Sequence, residues 1–193
     1  MIAPAAEARI GRVLEVLARG FAYAGGLILV TLAIVTVLSI TGRALIFAGL
    51  GPIKGDFEMV EIGCAIAVFF FLPWCQLKRG HVTVDILVDR MPRRAHAGFG
   101  LIGDICVLIA ACVIAWRLYL GFGEKFPYGS EGLRETLSMG YKPFFAETTY
   151  ELELPIWIPY GLALIGALMF VLISLYSVWR SVNWTLAGRE GQP

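Results

Sequence analysis

The sequence predicts an all-α integral membrane protein with four transmembrane helices. Hydrophobic residues make up 58% of the chain and charged residues only 16%, whereas soluble domains are close to half apolar and a quarter charged. The mean hydropathy of +0.74 is correspondingly high. The apolar residues are gathered in four runs, each near the roughly 20 residues needed to cross about 30 Å of hydrocarbon.

These four runs define the domain organisation. We predict spans at about residues 21–40, 57–77, 99–116 and 156–178, with a long outer loop at 119–155. No internal repeat or separate soluble domain is visible, so residues 1–193 are predicted to form a single membrane domain. The net charge of +1 gives no electrostatic case for nucleic-acid binding.

The distribution of positive charge predicts the orientation. Three Lys or Arg residues lie in the N-terminal tail, five between the second and third spans, and two in the C-terminal tail, which is ten of the 16 in the chain. Because cytoplasmic loops carry the excess of Lys and Arg, both termini and the second connection are predicted to be cytoplasmic.

Residues 7–19 precede the first span and have a helical apolar stripe. Ile10, Val13, Leu14 and Leu17 follow i, i+3, i+4, i+7 spacing, with charged residues elsewhere. This pattern predicts a short amphipathic helix lying in the cytoplasmic interface. A cleaved signal peptide is the alternative, but the apolar run from Phe21 is too long for one.

Charged residues flank the outer turn between the first two spans. Arg43 follows span one, while Glu58 and Glu61 lie one helical turn apart at the start of span two. Since acids in a span usually pair or face water, we hypothesise that Arg43 pairs with Glu61. The alternative is that each side chain reaches the headgroups separately.

The third span contains one acid, Asp104. A helix-packing hydrogen bond is its expected role, and a proton or ion ligand is the alternative. Gly103, Val107, Ala111 and Ala115 are predicted to form a stripe of close helix approach. The four cysteines all lie in predicted spans, so we expect buried, free thiols.

The second connection begins where the apolar run ends at Lys78 and Arg79. Gly80 is predicted to break the helix. Val84, Leu87, Val88 and Met91 then follow helical spacing, which predicts a second interfacial helix. A strand also matches the alternation of Val82, Val84, Ile86 and Val88, but an unpaired strand edge at a bilayer would leave backbone groups unsatisfied.

The outer loop is acidic and contains a predicted surface helix from Ser130 to Met139, ended by Gly140. Two other observations bear on whether the chain binds a metal or catalyses a reaction. His81 and Asp85 are four residues apart and are expected to fix a turn and dock a partner, because two ligands do not make a metal site. No nucleophile–base pair, phosphate loop or intramembrane haem ligand is present, so neither an enzyme nor a bound cofactor is expected.

A motif in the second span and its exit resembles a known family. Phe71-Leu72-Pro73, Gln76, Arg79-Gly80-His81-Val82, Asp85 and Pro92, together with Arg43 and Glu61, resemble the small permease subunit of tripartite ATP-independent periplasmic (TRAP) transporters. The resemblance implies a subunit of the bacterial inner membrane that supports a large permease subunit. That large subunit would bind sodium ions and import an organic acid delivered by a periplasmic binding protein.

The resemblance also implies that this chain holds no substrate site. The residues expected to act in structure or at a partner interface are Arg43, Glu61, Gln76, Gly80, His81, Asp85, Pro92 and Asp104. The acidic outer loop is hypothesised to meet the binding protein. Two other functions remain open from sequence: a stand-alone four-span channel or exporter, and the membrane anchor of a redox complex.

Overall fold

The computed structural model describes residues 4–80 and 93–187, which are mainly helical, with one short turn and one long loop between the helices. The helices are α1 (Pro4–Ala44), α2 (Asp56–Leu77), α3 (Arg93–Lys125), α4 (Glu131–Thr136) and α5 (Trp157–Ala187), with a 3-10 turn at Ile46–Ala48. Four of these helices, α1, α2, α3 and α5, are long and apolar enough to cross a membrane. The predicted all-α, four-span class is therefore confirmed.

The four long helices pack in the order α1, α2, α5, α3. Helix α5 lies between α2 and α3, and α1 packs on the other side of α2. As a result, α5 is the most buried of the four and α1 the least. We call the end that holds the start of α1 and the end of α5 the terminal end. The opposite end, which holds residues 126–156, is the loop end.

Helices α2 and α5 approach each other closely at Gly166. A Cβ atom at this position would lie only 2.7 Å from the backbone oxygen of Phe69. That oxygen is four residues before Pro73, which is buried inside α2 and has no N–H to donate to it. The proline thus frees a carbonyl, and the glycine lets α5 pack against it, as small residues do at membrane helix interfaces.

The core lies toward the terminal end, where three helices meet. Its buried side chains come from α1, α2 and α5: Ala18, Leu77, Met169, Ile173 and Tyr176. At the same end, Glu15 of α1 accepts hydrogen bonds from Lys78 at 2.8 Å and Arg19 at 3.2 Å. The first part of α1 is therefore fastened to the end of α2.

Helix α1 differs from the prediction of a separate interfacial helix at residues 7–19. These residues are helical, but they continue into the span without a break. Of the predicted stripe, Leu14 packs on the core while Ile10, Val13 and Leu17 stay exposed. The face that packs on α5 contains smaller residues instead, since Gly11 lies against the Tyr176 side chain and Ala18 is fully buried.

The boundaries of two helices and the burial of two cysteines also differ from the sequence predictions. Helix α3 runs on to Lys125, so the long loop begins at residue 126 and not at 119. Helix α4 is shorter than the predicted segment 130–139. The cysteines are free, but Cys106 and Cys112 are exposed on α3 and not buried. The predicted interfacial helix of the second connection lies outside the described residues.

Candidate functional site

A buried polar cluster at the terminal end surrounds Asp104 of α3, and we call it the Asp104 cluster. The carboxylate accepts hydrogen bonds from Gln76 Nε2 at 3.2 Å and from Arg79 Nη2 at 2.9 Å. Ser181 Oγ donates a third, short hydrogen bond to it. Asp104 is only 7% exposed and Gln76 only 2%. The carboxylate therefore joins α2, α3 and α5 and is almost completely buried.

Arg79 is held in this cluster by an unusual backbone conformation. Its φ angle is 52°, in the left-handed region that disfavours side chains with a Cβ. The N–H of Gly80 donates to Cys75 O at 2.8 Å and the N–H of Arg79 to Gln76 O at 3.2 Å. This is the Schellman pattern that ends a helix, with arginine where glycine is usual. The side-chain contacts of Arg79 offset the cost of this conformation.

Helix α2 ends just before Gly80, as predicted, but the conformation that ends it belongs to the preceding residue. The left-handed residue is Arg79, and Gly80 does not have a positive φ angle. A Cβ atom on Gly80 would lie 3.7 Å from Cys75 O, which is ordinary van der Waals contact. The helix ends because the backbone of residues 78–80 satisfies the last carbonyls of α2, and a glycine at position 80 is not needed for this.

A second arginine and a tryptophan from α5 complete the Asp104 cluster. The guanidinium groups of Arg79 and Arg180 lie 4.7 and 4.8 Å from the ring centre of Trp184. Arg180 also donates to the backbone oxygen of Leu77 at 3.2 Å. Among the described residues, Asp104 and the more distant Glu7 both act electrostatically on Arg180. Aromatic and backbone contacts add to the stabilisation of the two arginines.

This arrangement joins three helices through one carboxylate. Every oxygen of Asp104 already accepts a hydrogen bond from its own chain. Within residues 4–80 and 93–187, no group of three His, Cys, Asp or Glu side chains lies close enough to hold a metal ion. Asp104 thus acts as a helix-packing hydrogen-bond acceptor in this structure.

The pair hypothesised at the other end, Arg43 with Glu61, is wrong. Arg43 lies 3.8 Å from Asp56, which also accepts a 2.5 Å hydrogen bond from Ser39. Asp56 is the first residue of α2, so the short outer turn brings it back beside the end of α1. Glu61 lies more than one turn further along α2. Among the described residues it has no ion-pair partner.

Glu58 has a role that the sequence analysis missed. Its two carboxylate oxygens accept backbone N–H groups of Glu151 at 2.9 Å and Leu152 at 3.0 Å. In return, Glu151 accepts the N–H of Gly55 at 2.7 Å. These reciprocal bonds fasten residues 147–156, which fold back on themselves, to the start of α2. Lys125 adds a 2.6 Å ion pair to Glu147.

Arg134 is the centre of the remaining loop and was also missed. It is 2% exposed, and its guanidinium donates to backbone oxygens of six residues. The shortest of these bonds are 2.6 Å, to Gly123 and Phe126 at the end of α3, and 2.9 Å, to Tyr141. A helix leaves its last carbonyls unpaired, and here one arginine satisfies them. No local pattern marks this role, because every residue carries a backbone carbonyl.

Glu58 and Glu61 also lie on a groove of about 570 Å³ between α2, α3, α5 and the loop. Apolar side chains of the three helices, including Ile66, Phe69 and Ala163, form its floor. Of the other predicted residues, His81, Asp85 and Pro92 lie outside the described part of the chain. Gln76 and Asp104, predicted separately, are brought together.

The fold is that of a multi-pass membrane protein. Most of the buried polar side chains in the described residues bond to other parts of the same chain, and Ser174 and Ser177 are exceptions. The family model for the DctQ component of tripartite ATP-independent periplasmic transporters matches residues 32–183. The chain belongs to this family and is a small membrane component of a TRAP transporter. This is a family of transporter components and not of enzymes. Neither curated proteins nor solved structures gave a match.

Proposed function

We propose that this chain is a static support for the large permease subunit of a sodium-coupled TRAP transporter that imports an organic acid. The sodium ions and the substrate would bind to the large subunit, and a periplasmic protein would deliver the substrate. The chain would lie in the bacterial inner membrane with both termini in the cytoplasm, as the charge distribution favours.

The observation that carries this proposal is the placement of the buried polar side chains. Among the described residues, most of them belong to the Asp104 cluster or to the two ends of the helix row. Ser174 and Ser177 of α5 are the exceptions, and both are hydroxyl groups on one helix. A carrier needs polar groups deep in several helices to replace the hydration of its substrate. The polar contacts here instead join helices to one another.

The contacts at the two ends of the helix row also favour a static role for this chain. The terminal end is held by the Asp104 cluster and by the bonds of Glu15, and the loop end is held by Glu58 and Arg134. Constraints at both ends of the same helices restrict their sliding and tilting. A row of four helices also leaves long apolar surfaces on α1 and α3 for lipid and for a partner.

Reconstitution in liposomes tests the proposal. Three preparations would be compared under an inward sodium gradient: this chain alone, the large subunit alone, and the two together with the binding protein. Radiolabelled succinate, pyruvate and a sugar acid would serve as probes. We expect uptake of one of these acids by the complete system, with none by this chain alone.

The support role has its own readout. The large subunit should be less thermally stable when purified without this chain, and binding should restore its stability. Sodium-dependent uptake by this chain alone would refute the proposal. So would a large subunit that transports and unfolds identically with and without it.

A further inference from the structure

The loop end carries five exposed apolar side chains within 13 residues of sequence, which we call the apolar ridge: Leu133, Leu137, Tyr141, Phe144 and Phe145. Tyr141 is 99% exposed and Phe144 is 91% exposed. Monomeric soluble surfaces rarely expose apolar side chains this completely in one short segment. We propose that the apolar ridge is seated in the headgroup and upper acyl region of the lipid bilayer at the loop end.

The first argument is the reversed burial of α4 and its cap. The charged Arg134 is buried, whereas Leu133 and Leu137 are about half exposed. A segment surrounded by water would bury the leucines and expose the arginine. Here the loop has used its interior for backbone hydrogen bonds to Arg134, and its apolar side chains point outward. An apolar environment outside the protein removes this conflict.

The second argument is the separation of the apolar and acidic side chains of α4. Leu133 and Leu137 are four residues apart and lie on one face. Glu131 and Glu135 are offset from them by two positions, or about 200° around the helix, and so lie on the opposite face. All four side chains are exposed. This is the arrangement of a segment lying in an interface, with leucines toward the lipid and carboxylates toward water.

The third argument is depth. The hydroxyl of Tyr119 donates to the backbone oxygen of Leu137 at 2.5 Å. Tyr119 lies six residues before the end of α3, or about 9 Å down the helix axis. Just before it, Trp116 and Arg117 are exposed neighbours of the kind that mark a membrane interface. The loop therefore folds back beside α3 to the level at which lipid headgroups are expected.

The fourth argument is the chemistry of the segment that follows. Residues 141–145 read Tyr-Lys-Pro-Phe-Phe. Aromatic rings favour the boundary between hydrocarbon and headgroups, and a lysine among them can extend to a phosphate. Lys142 is exposed and forms no ion pair among the described residues. The ridge thus combines apolar anchors with a cation that matches a phospholipid headgroup, and it leaves Glu131 and Glu135 free for a water-soluble partner.

Site-specific photocrosslinking tests which molecule covers the ridge. p-Benzoylphenylalanine would replace Phe144 or Phe145, and the native cysteines would be kept. Each variant would be purified together with the large subunit in nanodiscs of phosphatidylethanolamine and phosphatidylglycerol. Glu135 is the matched control on the opposite face of α4. Leu172, exposed in the middle of α5, is the reference for a lipid-facing site. Adducts would be identified by mass spectrometry of the intact chain.

We expect phospholipid adducts at positions 144 and 145 at yields comparable to position 172 and several-fold above position 135. Equal yields at 145 and 135 would overturn the proposal. Crosslinks from 144 and 145 to the large subunit, or to the binding protein when it is added, would also overturn it and would identify a protein occupant. The inference does not depend on which side of the membrane the loop end faces.

Discussion

The two ends of the molecule each hold an arginine in a polar network, partly buried at one end and fully buried at the other, and the two arginines are neutralised differently. Arg79 at the terminal end bonds to a carboxylate and to residues up to 102 positions away in the chain. Arg134 at the loop end bonds only to backbone oxygens, all within 11 positions. The first arginine therefore joins helices that are distant in sequence, and the second organises its own loop. Damage to the two should have different consequences.

The largest effect is expected from Asp104→Asn. The substitution keeps the shape of the side chain but leaves Arg79 without its carboxylate in a mostly buried site. Breaking a buried pair costs about 3–5 kcal/mol, and we expect the lower value because Arg79 is 29% exposed. The free energy of unfolding, measured by circular dichroism in mixed SDS micelles, should fall accordingly. Arg79→Gln in the same chain should recover part of the loss, and a double variant no more stable than Asp104→Asn would argue against the pair.

The second largest loss of stability is expected from Gly166→Ala, which tests whether the middle of the bundle holds α2 to α5 independently of the two ends. In Gly166→Ala, the added methyl would lie 2.7 Å from the Phe69 oxygen, so the helices must separate. Overpacking of this kind costs about 2 kcal/mol. Gly26→Ala is the control, since nothing lies within 4 Å of a Cβ at that position of α1. Similar unfolding curves for the two variants would show that the close approach does not contribute.

Arg134→Gln is expected to lower the free energy of unfolding by a smaller amount but to increase hydrogen exchange strongly within its own loop. Several backbone carbonyls lose their hydrogen-bond donor, but water at the loop end can donate to some of them. The free energy of unfolding should therefore fall by only about 1–2 kcal/mol. Backbone amides of residues 126–141 should exchange hydrogen faster, while those of the Asp104 cluster should not change. Glu135→Gln, in the same loop and exposed, is the control. If exchange rises equally at both ends, the two arginines are coupled and the comparison fails.

The smallest effect is expected from Gly80→Ala. Because the left-handed residue is Arg79 and a methyl at position 80 meets only ordinary contacts, stability should change by about 0.5 kcal/mol or less. Thermal unfolding of the purified chain measures this directly. A loss comparable to that of Gly166→Ala would mean that Gly80 itself ends the helix, as the sequence had suggested.

The sequence predicted the features that follow from hydrophobic length. Four spans were recognisable because a membrane helix must be long and apolar. The helix ends were less predictable: α1 and α3 extend past their apolar runs because their polar parts pack on other elements. Periodicity shows which residues share a face, but it does not show which neighbour covers that face.

The candidate site was predictable only in part, for the same reason. Gln76 and Asp104 stood out as polar residues in apolar runs, yet their contact depends on how α2 and α3 meet α5. Arg43 was assigned to the wrong acid because Asp56 becomes its neighbour only through the outer turn. Arg134 gave no signal, since its acceptors are backbone atoms whose positions are set by the folded loop.

The length of α1 has a mechanical consequence. Its 41 residues span about 61 Å, roughly twice the hydrocarbon thickness. The first residues of this helix therefore extend well beyond the bilayer, or the whole rod leans strongly. Since Glu7 also bonds to Asn183 of α5 at 2.5 Å, the protruding segment is braced. A fluorophore fixed near residue 10 would then report the orientation of the spans, and for a static support its angle should stay constant through a transport cycle.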